Sequence, residues 1–303
     1  MKHFIKFIVV LFVILLTSAV LAPVLYHFLP FKFEKIFNRL VMVMTLAAVV
    51  AFVRIGRDTL NRYGLNWTKS SLTQFLTAFA GTVALLSLLL IFYVNQGCFQ
   101  WHLNDLSWVK WASKLSGVLL TALGVSILEE FFFRGFVFQA VNNFFSGNAR
   151  DARGHRITLC ATIVVTNLFY SLLHFTSSNK PLIGPDPSII DSFRLILAPF
   201  SSFGGWQALW PAAVGLLILG SVLNVLLLRS GALYPAIGMH AGCIFFIKLS
   251  SSFADFSSSP SLLFGSAKLY DGIIGWGVLI AIGVVLGGII PVKNRTLRNG
   301  ETQ

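Results

Sequence analysis

Eight apolar stretches, each near the length that crosses a hydrocarbon core of about 30 Å, divide the sequence: 7–28, 38–55, 72–94, 115–141, 157–175, 205–228, 232–249 and 271–290. Backbone polar groups in lipid must be satisfied within the segment, so stretches of this length predict helices. The expected fold class is therefore all-α, a polytopic integral membrane protein with about eight transmembrane helices. Composition agrees, because 11% of the residues are charged where a soluble domain has about a quarter. The 56% hydrophobic content, with 29 phenylalanines, excludes an ordinary soluble globular domain. No repeat period and no long hydrophilic stretch interrupt the pattern, so residues 1–303 read as a single integral membrane domain.

Between the stretches, Gly, Pro, Ser and Asn mark turns, most clearly from Ser177 to Pro187 and from Ser250 to Pro260. Residues 29–37, with Lys32, Glu34 and Lys35 among phenylalanines, read as a short interfacial piece. The first stretch follows Lys2 and Lys6, as in a signal peptide, but Pro23 directly follows its small-residue exit and the apolar run continues through Tyr26 and Phe28. An uncleaved first helix is expected.

The net charge of +12 is spread over short segments between apolar stretches rather than gathered on one patch. That distribution predicts a lipid bilayer as partner and no nucleic acid. With the N-terminus inside, thirteen Lys and Arg, among them Arg57, Arg62, Arg150, Arg229, Lys293, Arg295 and Arg298, fall on the cytoplasmic side and nine, among them Lys180, on the other. The expectation is a bacterial inner (plasma) membrane with both termini cytoplasmic. Trp101, Trp108, Trp111, Trp206 and Trp210 then fall near the opposite interface. Cys98, Cys160 and Cys243 are far apart and give neither a disulfide framework nor a CxxC metal site.

Against this apolar background, Glu129-Glu130-Phe131-Phe132-Phe133-Arg134-Gly135 lies inside a run that is otherwise apolar from Leu115 to Val141. An ionisable group at the centre of a membrane helix costs about 2.5–3.5 kcal/mol on insertion scales, so each needs a named partner. Residues four apart share a helix face, which pairs Glu130 with Arg134 and turns Glu129 about 100° away. Glu130 therefore reads as a structural partner and Glu129 as the candidate base. In the next stretch, Asn167, Ser171 and His174 form a polar stripe, with Tyr170 one turn before His174. His240 lies in Leu233-Tyr234-Pro235-Ala236-Ile237-Gly238-Met239-His240-Ala241-Gly242, whose small residues permit close helix approach. A carboxylate and two histidines on three stretches predict a shared cavity between the fourth, fifth and seventh spans.

These residues carry a resemblance. Glu129-Glu130-x-x-x-Arg134, then Tyr170-x-x-x-His174, then His240 resembles the CPBP family of intramembrane proteases, the CaaX proteases and bacteriocin-processing enzymes that include the type II CaaX prenyl endopeptidases. The similarity covers mainly residues 115–250, which would form the catalytic core. Two positions depart from the family pattern: Tyr170 stands where the family usually has Phe, and Ile244 where it has Asn four residues after the last His. Asn224 and Cys243 are candidates to take that asparagine's part.

The resemblance implies an intramembrane endopeptidase acting on a peptide or protein at or in the membrane, in CaaX-type processing or peptide maturation. It implies that Glu129 and His174 activate a water and that His240 stabilises the oxyanion, with Glu130, Arg134 and Tyr170 in support. Two versions stay open: a metal-independent one, which is the expectation carried forward, and one in which Glu129, His174 and His240 hold Zn2+. No HExxH pair fixes two ligands on one helix turn, so spacing does not decide between them. A non-catalytic scaffold or immunity protein on the same fold is the alternative that Ile244 supports. A transporter has less support, since no inverted repeat or paired broken helices are visible. His174 ends a stretch that runs outward with the N-terminus inside, which predicts a cavity opening to the non-cytoplasmic face.

Overall fold

The structure, a computed structural model, describes residues 2–55, 63–102, 107–146, 151–174, 183–201, 206–257 and 260–292. Arg57, Arg62, Arg150, Lys180, Lys293, Arg295, Arg298 and the turn at 177–182 lie outside the described residues, as do the side chains of Lys2, Lys6, Arg54 and Trp206. In chain order the helices are α1 (Lys2–Tyr26), α2 (Phe33–Ile55), α3 (Ser71–Asn95), α4 (Trp108–Glu130), a π-helical segment (Phe131–Val137), α5 (Phe138–Ser146), α6 (Ala152–His174), α7 (Ile189–Ser201), α8 (Trp206–Ser230), α9 (Tyr234–Ser250) and α10 (Ile273–Ile289). Strands β1 (Phe99–Trp101) and β2 (Ala254–Phe256) pair antiparallel, with Gln100 opposite Asp255.

Every one of the eight apolar stretches carries a helix, and the all-α membrane class holds. Among the described residues, Val9–Tyr26, Ser71–Asn95, Trp108–Ser146 and Leu209–Ser230 are long and apolar enough to cross a membrane. The apolar helix Ile273–Ile289 is shorter. The interfacial piece expected at 29–37 is corrected: from Phe33 onward these residues are the start of α2, and Phe33 and Phe37 are buried against Ala19 and Ala22 of α1.

The chain forms two compact units, Met1–Leu60 with Gly135–Leu217, and Asn61–Arg134 with Ile218–Gln303. In the first, α1 and α2 pack together, α7 lies along α1 and α5 packs on α6. Ser192 Oγ of α7 donates to the Ala19 carbonyl at 3.0 Å. The start of α7 is fixed by Asp191, whose carboxylate accepts from Ser188 N and Ser188 Oγ, each at 2.9 Å, and from Arg194 Nη1 at 2.9 Å. The backbone hydrogen bond from Ser188, then its hydroxyl, hold the Asp191 carboxyl below the usual carboxylate range.

In the second unit α3 and α9 run side by side in the same direction. Gly238 faces the Phe75 carbonyl, and Gly242, one turn on, faces Phe79 and Thr82. With no side chain at these two positions the backbones meet directly, which is how helices associate where lipid removes the hydrophobic drive. Both helices lead into the β1–β2 pair at one end. At the other, Leu233 N donates to the Gly64 carbonyl at 2.8 Å, just before α9 begins. Helix α4 packs on α9 and α10 on α3. Leu86, Leu90, Tyr93, Leu223, Met239 and Ile282 belong to the apolar cluster that fills the interior.

Candidate active site

The charged centre lies where α4 gives way to the π-helical segment. Glu130 is the last residue of α4, and Arg134 sits within the wider turn that follows. The sequence reading assumed a continuous α-helix here, whereas the structure opens the ladder immediately after Glu130. Such π-turns inside α-helices are frequent at functional sites. Glu130 is fully buried and Arg134 is 1% exposed. Arg134 Nη1 donates to Glu130 Oε1 at 3.0 Å, and Nη2 donates to the Gly220 carbonyl of α8 at 3.4 Å.

Glu130 Oε1 takes a second donor. His240 Nδ1 lies 2.8 Å from it, across 110 residues of sequence. The other nitrogen of the same ring, Nε2, lies 3.8 Å from Glu129 Oε2, longer than a hydrogen bond but within ion-pair distance. The imidazole therefore stands between the two carboxylates, one nitrogen toward each. An ionised carboxylate only accepts, so Nδ1 carries a proton and Nε2 is the atom whose state changes: a lone pair in the neutral ring, an N–H donor in the imidazolium. Glu130 Oε2 is buried with no hydrogen-bond partner among the described residues. The two carboxylates also differ in access, since Glu129 is 28% exposed and Glu130 not at all.

The structure thus brings Glu129, Glu130, Arg134 and His240 together within the second unit. Tyr170 and His174 lie in the first unit and are described with it. There Tyr170, Asn167 and Ser171 are buried, and Ser171 Oγ donates to the Ala213 carbonyl at 3.4 Å. His174 Nδ1 lies 3.0 Å from the Tyr170 carbonyl. A carbonyl cannot donate, so this nitrogen carries the hydrogen and the lone pair of the neutral ring sits on Nε2. The Tyr170 ring lies against the imidazole, with centroids 4.3 Å apart. Cys243 belongs to the apolar cluster, while Asn224 is buried on α8 one turn after Gly220. The Gly220 carbonyl is a contributor to the centre that residue types do not reveal, because a backbone acceptor leaves no mark in the sequence. Among the described residues no group of three His, Cys, Asp or Glu side chains is placed to hold a metal ion.

In a polytopic helical membrane protein, a buried Glu–Arg–His centre beside a more accessible glutamate marks a functional site by default, in the class of proteins that keep ionisable groups inside the membrane. Comparison narrows the class. Residues 111–246 match the family described as Type II CAAX prenyl endopeptidase Rce1-like, and Glu129, Glu130, Arg134, Tyr170, His174 and His240 all fall inside that match. The resemblance to the CPBP and CaaX proteases is thereby shown over that segment, and it supports a membrane protease with peptide or protein substrates. No curated protein and no solved structure matches the chain.

Proposed function

We propose that the chain is an intramembrane endopeptidase that hydrolyses a peptide bond with water activated by Glu129 and His174. The observation that carries this reading is the His240 ring held between Glu129 and Glu130. Glu130, fixed by Arg134, accepts the His240 Nδ1 hydrogen in both charge states of the ring, as the orienting carboxylate does in a catalytic triad. In the imidazolium form Nε2–H is a donor for the tetrahedral oxyanion. Glu129, the more accessible carboxylate, takes a proton as the water's oxygen bonds to the scissile carbon, then delivers it to the leaving amine as the C–N bond breaks. His174 enters through the motif order and through its Nε2 lone pair, with the Tyr170 ring holding the imidazole in orientation.

The depth of the centre bears on the substrate. His240 lies six residues into α9, about 9 Å of helix rise, while the β1–β2 pair lies beyond its other end. With both termini cytoplasmic, that is the cytoplasmic half of the membrane. While His174 at the end of α6 favours the outward face, the depth of His240 supports a substrate segment entering from the cytoplasm. A C-terminal CaaX-type peptide fits that access.

Glu129→Gln tests the reading. Peptides in membranes carrying wild-type protein are compared with those carrying the variant, alongside thermal melts of both. The expected outcome is cleavage products that vanish with Glu129→Gln at an unchanged melting temperature, and that persist after chelation with EDTA. Wild-type cleavage by the variant would overturn the assignment of the base; loss of cleavage on chelation, restored by zinc, would overturn the metal-independent form. A second reading, a non-catalytic scaffold or immunity protein, is favoured by Ile244, and it requires Glu129→Gln to keep full biological activity.

A further inference from the structure

A groove of about 510 Å3 runs between the second half of α8 and α10, within the second unit. Its walls are apolar and face outward: Val225, Ile280 and Val284 are all exposed. The two helices rise together, since Gly283 of α10 meets Val222 of α8 and Gly287 faces Arg229 further along. Both then stop, α8 at Ser230 and α10 at Ile289. The groove therefore has Arg229 at the end where both helices terminate and Ser221 eight residues deeper, about 12 Å along the helix.

Among the described residues Arg229 is the one cation lining it. Its Nε is buried and has no hydrogen-bond partner among the described residues. A guanidinium held at a helix end with an unanswered N–H, above an apolar slot open to the bilayer, presents two chemistries at a fixed separation. A charged oxygen ligand answers the first, forked donors being suited to phosphate. A hydrocarbon chain answers the second. The depth order, cation at the helix ends and apolar walls inward, is that of a bilayer lipid.

We propose that this groove is a binding site for one anionic phospholipid, its phosphate on Arg229 and an acyl chain between α8 and α10. The inner end of the site, Ser221, adjoins Gly220, whose carbonyl accepts from Arg134. A lipid seated here braces the turn of α8 that supports the charged centre. With the termini inside, Arg229 faces the cytoplasmic leaflet, where anionic lipids concentrate.

The test is native mass spectrometry of the full chain in detergent, titrated with palmitoyl-oleoyl phosphatidylglycerol or with the phosphatidylcholine of the same chains. One bound phosphatidylglycerol is expected, preferred by about fivefold or more, the scale of one basic residue at an anionic surface. Arg229→Gln should abolish the preference and Arg229→Lys should keep part of it. Gly288→Leu should weaken both lipids with Arg229 intact. Gly288 lines the groove and a Cβ there meets nothing within 4 Å, so this variant puts its bulk into the slot from an open position and carries the test even if Arg229→Gln fails to fold. Equal binding of the two lipids by wild type, an unchanged preference in Arg229→Gln, or unchanged affinity in Gly288→Leu would each overturn the proposal. So would displacement of the lipid by farnesol with an affinity indifferent to Arg229, which would mark a neutral isoprenoid site.

Discussion

Replacing Gly242 by alanine probes the contact that sets the position of His240. A Cβ built there falls 2.9 Å from both the Phe79 carbonyl oxygen and Thr82 Cβ on α3. Non-bonded carbons settle at about 3.5–4.0 Å, so α9 must back away by roughly 0.5 Å. Overpacking of this kind costs about 1–3 kcal/mol. His240 is two residues away, and its 2.8 Å bond to Glu130 stretches by a similar amount if the shift is carried along the helix. A 1 Å misplacement at a reacting centre can cost about 100-fold, so half of it predicts a loss of about tenfold in turnover. Gly277→Ala on α10 is the control, because a Cβ there meets nothing within 4 Å. There the helix-propensity gain of about 1 kcal/mol should raise the melting temperature. Thermal unfolding in detergent, followed by tryptophan fluorescence, and the rate of peptide cleavage measure both effects. If Gly242→Ala melts at or above wild type, as Gly277→Ala should, the close backbone approach of α3 and α9 is not what positions the histidine.

Glu130→Gln should behave unlike Glu129→Gln: it strips the charge partner from an arginine that is 1% exposed, a loss of about 3–5 kcal/mol, and thermal melts of the two variants should separate by that difference. At the start of α7, the Asp191 carboxyl is held low chiefly by the Ser188 backbone hydrogen bond. A carboxylate lowered on folding contributes stability above its unfolded pKa of about 3.9, lost as pH falls through the lower folded value. The melting-temperature gap between wild type and Asp191→Asn should therefore close only in acid below that point; a gap unchanged down to pH 2 would refute the capping role.

The helices were legible because an apolar stretch about 20 residues long has one way to satisfy its backbone in lipid. The Glu130–Arg134 contact was legible too, since it needs nothing beyond four residues of local spacing. His240 reaching Glu130 was not, because that distance depends on how α9 sits against α4, and no spacing across 110 residues encodes it. The π-helical segment escaped for a different reason: Phe131-Phe132-Phe133 and Phe136-Val137 are apolar all round, so the hydrophobic period that would betray a wider turn is absent. Helix α7 does carry a local mark in the sequence. Ser188-Ile189-Ile190-Asp191 has the spacing of a capping box, and the structure uses it to start a 13-residue helix. Strands of three residues, such as β1 and β2, carry too little pattern to be seen in advance.

The order in which the chain is made gives the Glu130–Arg134 contact another meaning. When α4 and the π segment enter the bilayer, α8 with the Gly220 carbonyl and α9 with His240 have not yet been synthesised. During that interval the guanidinium has a single preformed counter-ion, one turn back on its own segment. Without it, the insertion machinery would meet isolated charges in the middle of a nascent span, each a reason to reject it. The same contact that later steadies His240 thus serves first as an entry permit. Variants that break it should show their defect during biogenesis, as poor insertion and rapid degradation, before any catalytic consequence can be measured.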